Sequence, residues 1–207
     1  MGSSDGGNAR IDVVAFAGSL RRRSFNRALL RAAAGLAPAH MAFDEVDISS
    51  IPVYNADFDE TQGGGPYPEP VAILRARVHR ADAVWMAVPE YNWGPSGVTK
   101  NVVDWLSRPI RSAPLTDKPV AIAGASQGPA GTGRAQLQLR QNLLSVNCFV
   151  LQAPVVQVGG AASRFDEGLR LTDEQTRDLL RAQLAALADW TTRMGVHRLD
   201  DLEVRIG

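Results

Sequence analysis

The chain has 207 residues, 45% of them hydrophobic and 21% charged, with 22 basic and 22 acidic side chains that cancel. That length suits one well-buried core better than two, and the charge balance argues against bulk electrostatic binding to nucleic acid or anionic membrane. One cysteine, Cys148, excludes an internal disulfide and any cysteine-based zinc site, which fits a reducing, cytoplasmic setting.

In chain order, residues 1–9, small and polar, are expected to be a disordered lead-in to a single domain over 10–207. From Ile11, short apolar runs alternate with longer amphipathic ones. The strand candidates are IDVVAFA (11–17), MAFDEVDI (41–48), ADAVWMAV (81–88), KPVAIAGA (118–125) and FVLQAPVVQV (149–158). The third and fourth are apolar almost throughout, as strands buried on both faces are. Helices are expected over 25–36, 68–80, 97–108 and 133–146, and a long one from Thr172 to Met194 with Thr172 as cap. No apolar run approaches the ~20 residues that span a bilayer. Strict β-α alternation calls for parallel strands with helices on both faces, a three-layer α/β sandwich. In such sheets ligands bind beyond the carboxyl ends of the strands, where strand order reverses.

Three loops fall there. The first, GSLRRRSFN (18–26), puts arginines, hydroxyls and an asparagine ahead of a helix N-terminus. A helix start is already electropositive, so cations placed there call for an anion from elsewhere. Neither G-x-x-x-x-G-K-[ST] nor G-x-G-x-x-G is present, so a terminal phosphate monoester fits better than a nucleoside triphosphate or a dinucleotide pyrophosphate. Ser19, Arg21, Ser24 and Asn26 are the expected phosphate contacts, with Arg22 and Arg23 facing solvent. The second loop sets Tyr91 and Trp93 beside the Asn92 amide, a surface suited to a flat, polar-edged heterocycle. The third, GASQG (124–128), formally matches the G-x-S-x-G nucleophile elbow, with Asp166, Asp173 or Asp189 and then His197 in hydrolase order. An elbow helix starts at the serine, however, and QGPAGTG delays the helix to about Gly133. A serine hydrolase built on Ser126 would also leave the arginine loop unexplained.

GSLRRRSFN, PEYNWGPSGVTKNVVDWLSR and GASQGPAGTGRAQLQLRQNL together resemble the successive signature segments of the NAD(P)H-dependent FMN reductase family, in the branch with bacterial chromate and quinone reductases. The resemblance runs from about residue 11 to 190. It implies a flavodoxin-like fold with a five-stranded parallel sheet of order 2-1-3-4-5, binding FMN without a covalent link. It also implies a cytoplasmic homodimer or homotetramer, assembled through the helices that begin near Gly97 and Gly133. Such a protein passes two electrons from NADPH or NADH to a quinone or another small acceptor, in ping-pong fashion, with the chemistry on flavin N5. Carried onto this chain, Ser19, Arg21, Ser24, Phe25 and Asn26 hold the phosphate. Pro89, Glu90, Tyr91 and Asn92 lie against the ring, and Ser126 with Gly128 completes the pocket. The pattern departs from the family where a Pro-Gly pair and Leu-Lys-Asn are usual. Ser96 stands at that proline's place, Pro95 precedes it, and Thr99 replaces the leucine. A proline moved by one residue changes which N–H is missing and which φ is fixed, so ring-side geometry is the feature to inspect. Two rivals stay open: a flavodoxin-like enzyme diverted to a specialised reaction, and an electron carrier, although carriers resemble acidic proteins and this chain is neutral.

His40, His79 and His197 are isolated and lack metal-pair spacing. Cys148 opens an expected core strand, where a thiol is usually an apolar filler. Trp105 and Trp190 lie on helices and are expected in the core or at a subunit interface. The glycine-rich loop around Tyr54 reads either as a cover over the site or as a surface excursion.

Overall fold

The computed structural model describes residues 9–59, 63–110 and 112–195. Strands β1 (Ile11–Ala17), β2 (Met41–Glu45), β3 (Ala83–Ala87) and β6 (Pro119–Ala125) alternate with helices α1 (Phe25–Leu36), α2 (Glu69–Arg80), α3 (Gly97–Leu106) and α4 (Gly133–Leu144). A short hairpin, β4 (Glu90–Tyr91) and β5 (Gly94–Pro95), interrupts the second loop. Two short strands, β7 (Phe149–Val150) and β8 (Val156–Val158), precede α5 (Glu174–Met194). All pairings in the main sheet are parallel, in the order β2-β1-β3-β6-β7, with β8 also on β6. This is the expected 2-1-3-4-5 order with its fifth strand divided. β7 pairs with the start of β6 and β8 with its end, and Pro154 sits in the gap because it has no N–H to give a ladder.

Period-two alternation sorts the core. Along β1, Val13, Ala15 and Ala17 face one apolar cluster with α1 and α5, whereas Val14 and Phe16 face another with α2, α3 and α4. Both faces are covered, which is why β3 and β6 are buried at every residue. Helix starts are capped locally by Ser24 on α1, Ser96 on α3 and Asp173 on α5. The cap of α5 is therefore Asp173 and not Thr172. Its carboxylate accepts the Thr176 N–H (2.9 Å), while Thr172 hydrogen-bonds back to Arg164.

Trp105 is fully buried and donates to the Pro52 carbonyl (2.7 Å), and Trp190 donates to Phe149 (2.8 Å). The 51–68 segment is fastened at its ends. Asn101 bonds Pro52 and Tyr54, and the Tyr54 and Tyr67 rings meet Trp105 edge-on. Among the described residues no helix is long and apolar enough to cross a membrane, and no cluster of ligating side chains suits a metal ion. The Cys148 thiol is pushed up to about 12, chiefly by burial, and donates to the Leu115 carbonyl, so it is packing material.

At the amino ends of the strands, opposite the three loops, Lys118 points its ammonium at the carbonyls that close α2, Ala81 (2.5 Å) and His79 (3.4 Å). A cation suits a helix C-terminus, but burial pushes its pKa down to about 8 from 10.5, with Asp82 pulling the other way. A folded-state pKa below the unfolded one means folding releases protons. Stability therefore rises with pH between about 8 and 10.5, and the cost of burying the charge is present in full below that window. Lys118→Met removes this dependence. Denaturant unfolding at both ends of the window should show wild type gaining about 3 kcal/mol on the variant as pH rises. A difference that stays flat with pH refutes the assignment.

Candidate functional site

The strand order reverses between β1 and β3, and the loops after β1, β3 and β6 meet there. The first loop leaves the sheet at Gly18, whose N–H donates to Ala87 at the end of β3 (2.8 Å). Ser19 and Ser24 are buried, while Arg21, Arg22 and Arg23 are exposed. Ser24 Oγ accepts the Arg27 N–H (3.3 Å) and keeps its own proton to donate. The first turn of α1 carries no acid, and the N–H groups of Phe25 and Asn26, at its start, have no partner within the helix. Among the described residues Arg21 and Arg22 join no ion pair. One short loop therefore carries backbone donors, two hydroxyls and two guanidinium groups that no carboxylate among the described residues pairs with, a donor set that fits a phosphate monoester. Arg22 and Arg23 face solvent as expected, and Arg23 also donates to the Glu167 carbonyl (2.9 Å).

Two other expected contacts have side chains engaged within the fold. The Asn26 amide is buried and forms a reciprocal pair with the Ala125 backbone, Nδ2 to O and N–H to Oδ1, both 2.9 Å. Its side chain thus ties the first loop to the third, using one of the two amide N–H donors and the carbonyl oxygen. The Phe25 ring packs on Phe165, centroids 5.3 Å apart.

In the second loop, Pro89 is buried, and the hairpin turns at Asn92 (φ 50°) and Trp93 (φ 70°). Two left-handed residues give the twist that a two-residue hairpin needs; asparagine takes this conformation readily and tryptophan does so under strain. The tryptophan is held from α4. The Arg134 guanidinium lies 4.9 Å from its ring centroid, and Gln138 donates to its carbonyl (3.1 Å). Glu90 turns its carboxylate to the start of α4, where it accepts the N–H groups of Arg134 (3.0 Å) and Ala135 (3.3 Å) and the Arg134 guanidinium (3.2 Å). It supplies α4 with the cap that Thr132 does not. What Glu90 offers a ring is therefore its backbone. Tyr91 is half-exposed, with its hydroxyl 3.5 Å from Ser19 Oγ, so the first two loops share an edge.

The third loop is closed by its own backbone. Ser126 Oγ donates to Gly131 (2.5 Å) and lies 3.3 Å from the Gly128 carbonyl, which also accepts from Gly131 and Gly160. A Cβ built on Gly128 would meet only Ser126 Oγ, at 3.8 Å, so this stretch is open to an approaching flat molecule. The hydrolase arrangement is not assembled. The Ser126 proton is committed to a carbonyl, the helix starts only at Gly133, and Asp166 and Asp173 pair with Arg170 and Arg164. His40 and His79 precede β2 and β3, at the strand ends opposite the three loops, and His197 lies outside the described residues.

Arg134, Ser96 and Thr99 join this site without having been singled out as contacts. A serine just ahead of an apolar-periodic run is a legible cap signal for Ser96, whereas the Glu90–Arg134 pair spans 44 residues and leaves no local trace.

The family model described as NADPH-dependent FMN reductase matches residues 11–163. An NAD(P)H-dependent FMN reductase of Pseudomonas aeruginosa is 42% identical over 89% of this chain and 97% of its own. A quinone reductase of Escherichia coli is 35% identical over 90% and 98%. Among solved structures, the flavoenzyme NAD(P)H:(acceptor) oxidoreductase of Paracoccus denitrificans superposes with a TM-score of 0.79 at 32% identity, covering 89% of this chain and 98% of its own.

Proposed function

The chain belongs to the NADPH-dependent FMN reductase family, and from that premise we propose how its three loops serve an FMN-dependent oxidoreductase that takes electrons from NAD(P)H and reduces quinones. The observation that carries the residue assignment is the acid-free start of α1, preceded in the same loop by Ser19, Ser24 and Arg21, which joins no ion pair among the described residues. These three, with the N–H groups of Phe25 and Asn26, hold the FMN phosphate. The isoalloxazine ring lies against the backbone of Pro89–Asn92 and the Tyr91 side chain, with Ser126–Gly128 along its other edge. When bound, FMN supplies hydride chemistry at N5. The chain orients that group, leaves one ring face open, and offers backbone donors where negative charge develops. Asn26 acts as the brace between the first and third loops.

With one open face, NAD(P)H and the small-molecule acceptor use the same place in turn, which makes turnover ping-pong. The domain over 10–207 works as a cytoplasmic homo-oligomer joined through α3 and α4. Exposed Trp93, Leu137 and Leu144, on or beside α4, support that surface.

Flavin titration of the apoprotein, followed by anaerobic addition of NADPH or NADH, tests the reading. Arg21→Ala should weaken FMN binding about tenfold, the usual worth of a hydrogen bond to a charged group, and leave riboflavin unchanged. Equal losses for both flavins would remove Arg21 from the phosphate site.

A further inference from the structure

We infer that Ser96, seated by Thr99, is a positioning residue that sets the phosphate loop against the ring loop in this chain; the inference rests on the flavin site proposed above. Gly18 is the joint where β1 becomes the first loop, and both of its peptide groups are held by the β3–α3 segment. Its N–H is bound by Ala87 (2.8 Å) and its carbonyl by Ser96 Oγ (2.6 Å). Ser96 is 2% exposed and Thr99 not at all. The Ser96 hydroxyl uses its whole capacity there. It donates to Gly18 and accepts the Thr99 N–H (3.3 Å) and the Thr99 hydroxyl (2.8 Å). Its directions are therefore fixed: Thr99 to Ser96, and Ser96 to Gly18.

Packing makes the clasp tight. A Cβ on Gly18 would collide with Thr99 Oγ1 and stand 3.0 Å from both Ser96 Oγ and Pro89 Cδ, so the phosphate loop, the ring loop and α3 touch at one point. One residue further on, Ser19 faces Tyr91. A proline at position 96, as the resemblance leads one to expect, has neither the hydroxyl nor a donor with which to hold Gly18. The shifted Pro95 is what frees residue 96 for this role: Pro95 sits in the hairpin, where it pairs with Glu90, and the helix cap follows it.

Cutting the clasp should loosen the phosphate loop more than the ring loop, whose hairpin is fastened separately to α4. The readout is the ratio of FMN to riboflavin affinity, measured by fluorescence titration of the folded apoprotein. Ser96→Ala should weaken FMN about tenfold and riboflavin less than about twofold, as expected for one buried hydrogen bond that serves only the phosphate end. Thr99→Val keeps shape and cap but removes the supporting hydroxyl, and should weaken FMN about threefold with the same selectivity. It decides the matter should Ser96→Ala not fold. A variant that loses both flavins equally, or neither, overturns the clasp while Arg21→Ala remains phosphate-selective. If wild type does not prefer FMN to riboflavin and Arg21→Ala changes nothing, the phosphate-loop reading itself falls, and the clasp with it.

Discussion

Trp85→Ala is expected to cost about 4 kcal/mol of unfolding free energy, in the range usual for truncating a buried aromatic. Trp85 is fully buried in β3, and its lateral neighbours in register are Ala15 on β1 and Ala121 on β6. Two alanines beside one tryptophan make the space that its indole fills, so its removal leaves a hole that small neighbours cannot close. The indole N–H also donates to Gln183 Oε1 (3.1 Å), whose amide in turn donates to Ile122 (3.0 Å) and Pro154 (3.1 Å). Truncation leaves that buried oxygen without a donor. Trp85→Phe keeps much of the volume and should lose about 2 kcal/mol, mainly for the unmet acceptor. Urea unfolding of the apoprotein checks both; a loss for Trp85→Ala below about 1 kcal/mol would mean that α5 settles onto the sheet far more freely than packing at this density allows.

Gly124→Ala should destabilise the fold by about 3 kcal/mol and weaken FMN binding together, because overpacking here has no soft neighbour to displace. A Cβ at 124 would collide with Thr132 Oγ1 and with the Val88 carbonyl oxygen, and the second of these is backbone at the end of β3. Relief requires the second or third loop to move, and both line the proposed ring site. Gly128→Ala is the matched control: its Cβ meets nothing closer than 3.8 Å, so thermal stability should be nearly unchanged. If Gly124→Ala melts and binds FMN like wild type, the close approach of the two loops is not needed for the site.

The Pro95–Ser96 departure illustrates how local and distant information divide. That a proline had moved, and that an N–H and a φ had moved with it, was plain in the chain itself. That the freed residue would clasp Gly18, 78 positions away, was not. The same division runs through Glu90 and Asn26, expected to lie against the ring and to contact the phosphate. Each has a side chain committed elsewhere in the fold, Glu90 to the start of α4 and Asn26 to the end of β6 across 99 residues. A polar residue next to a ligand loop looks the same in sequence whether it faces the ligand or braces the loop, because both roles need the same donors and acceptors.

Strands and helices were legible because apolar period and cap chemistry are local. The span of β1 and that of α1 match their patterns residue for residue, and β3 and β6 differ only at the ends. The break in the fifth strand and the hairpin at Asn92–Trp93 were less legible, since one depends on where β6 offers partners and the other on support from Arg134 and Gln138. By itself, then, the sequence determined the alternation of layers, the three loops at the switch point and the excess of cations at the start of α1, because each follows from neighbours within a few residues. Tertiary structure alone decided which polar side chains face the open site and which hold it together. A buried hydrogen bond is chosen by what the fold brings within 3 Å or so, and spacing along the chain carries no record of that choice.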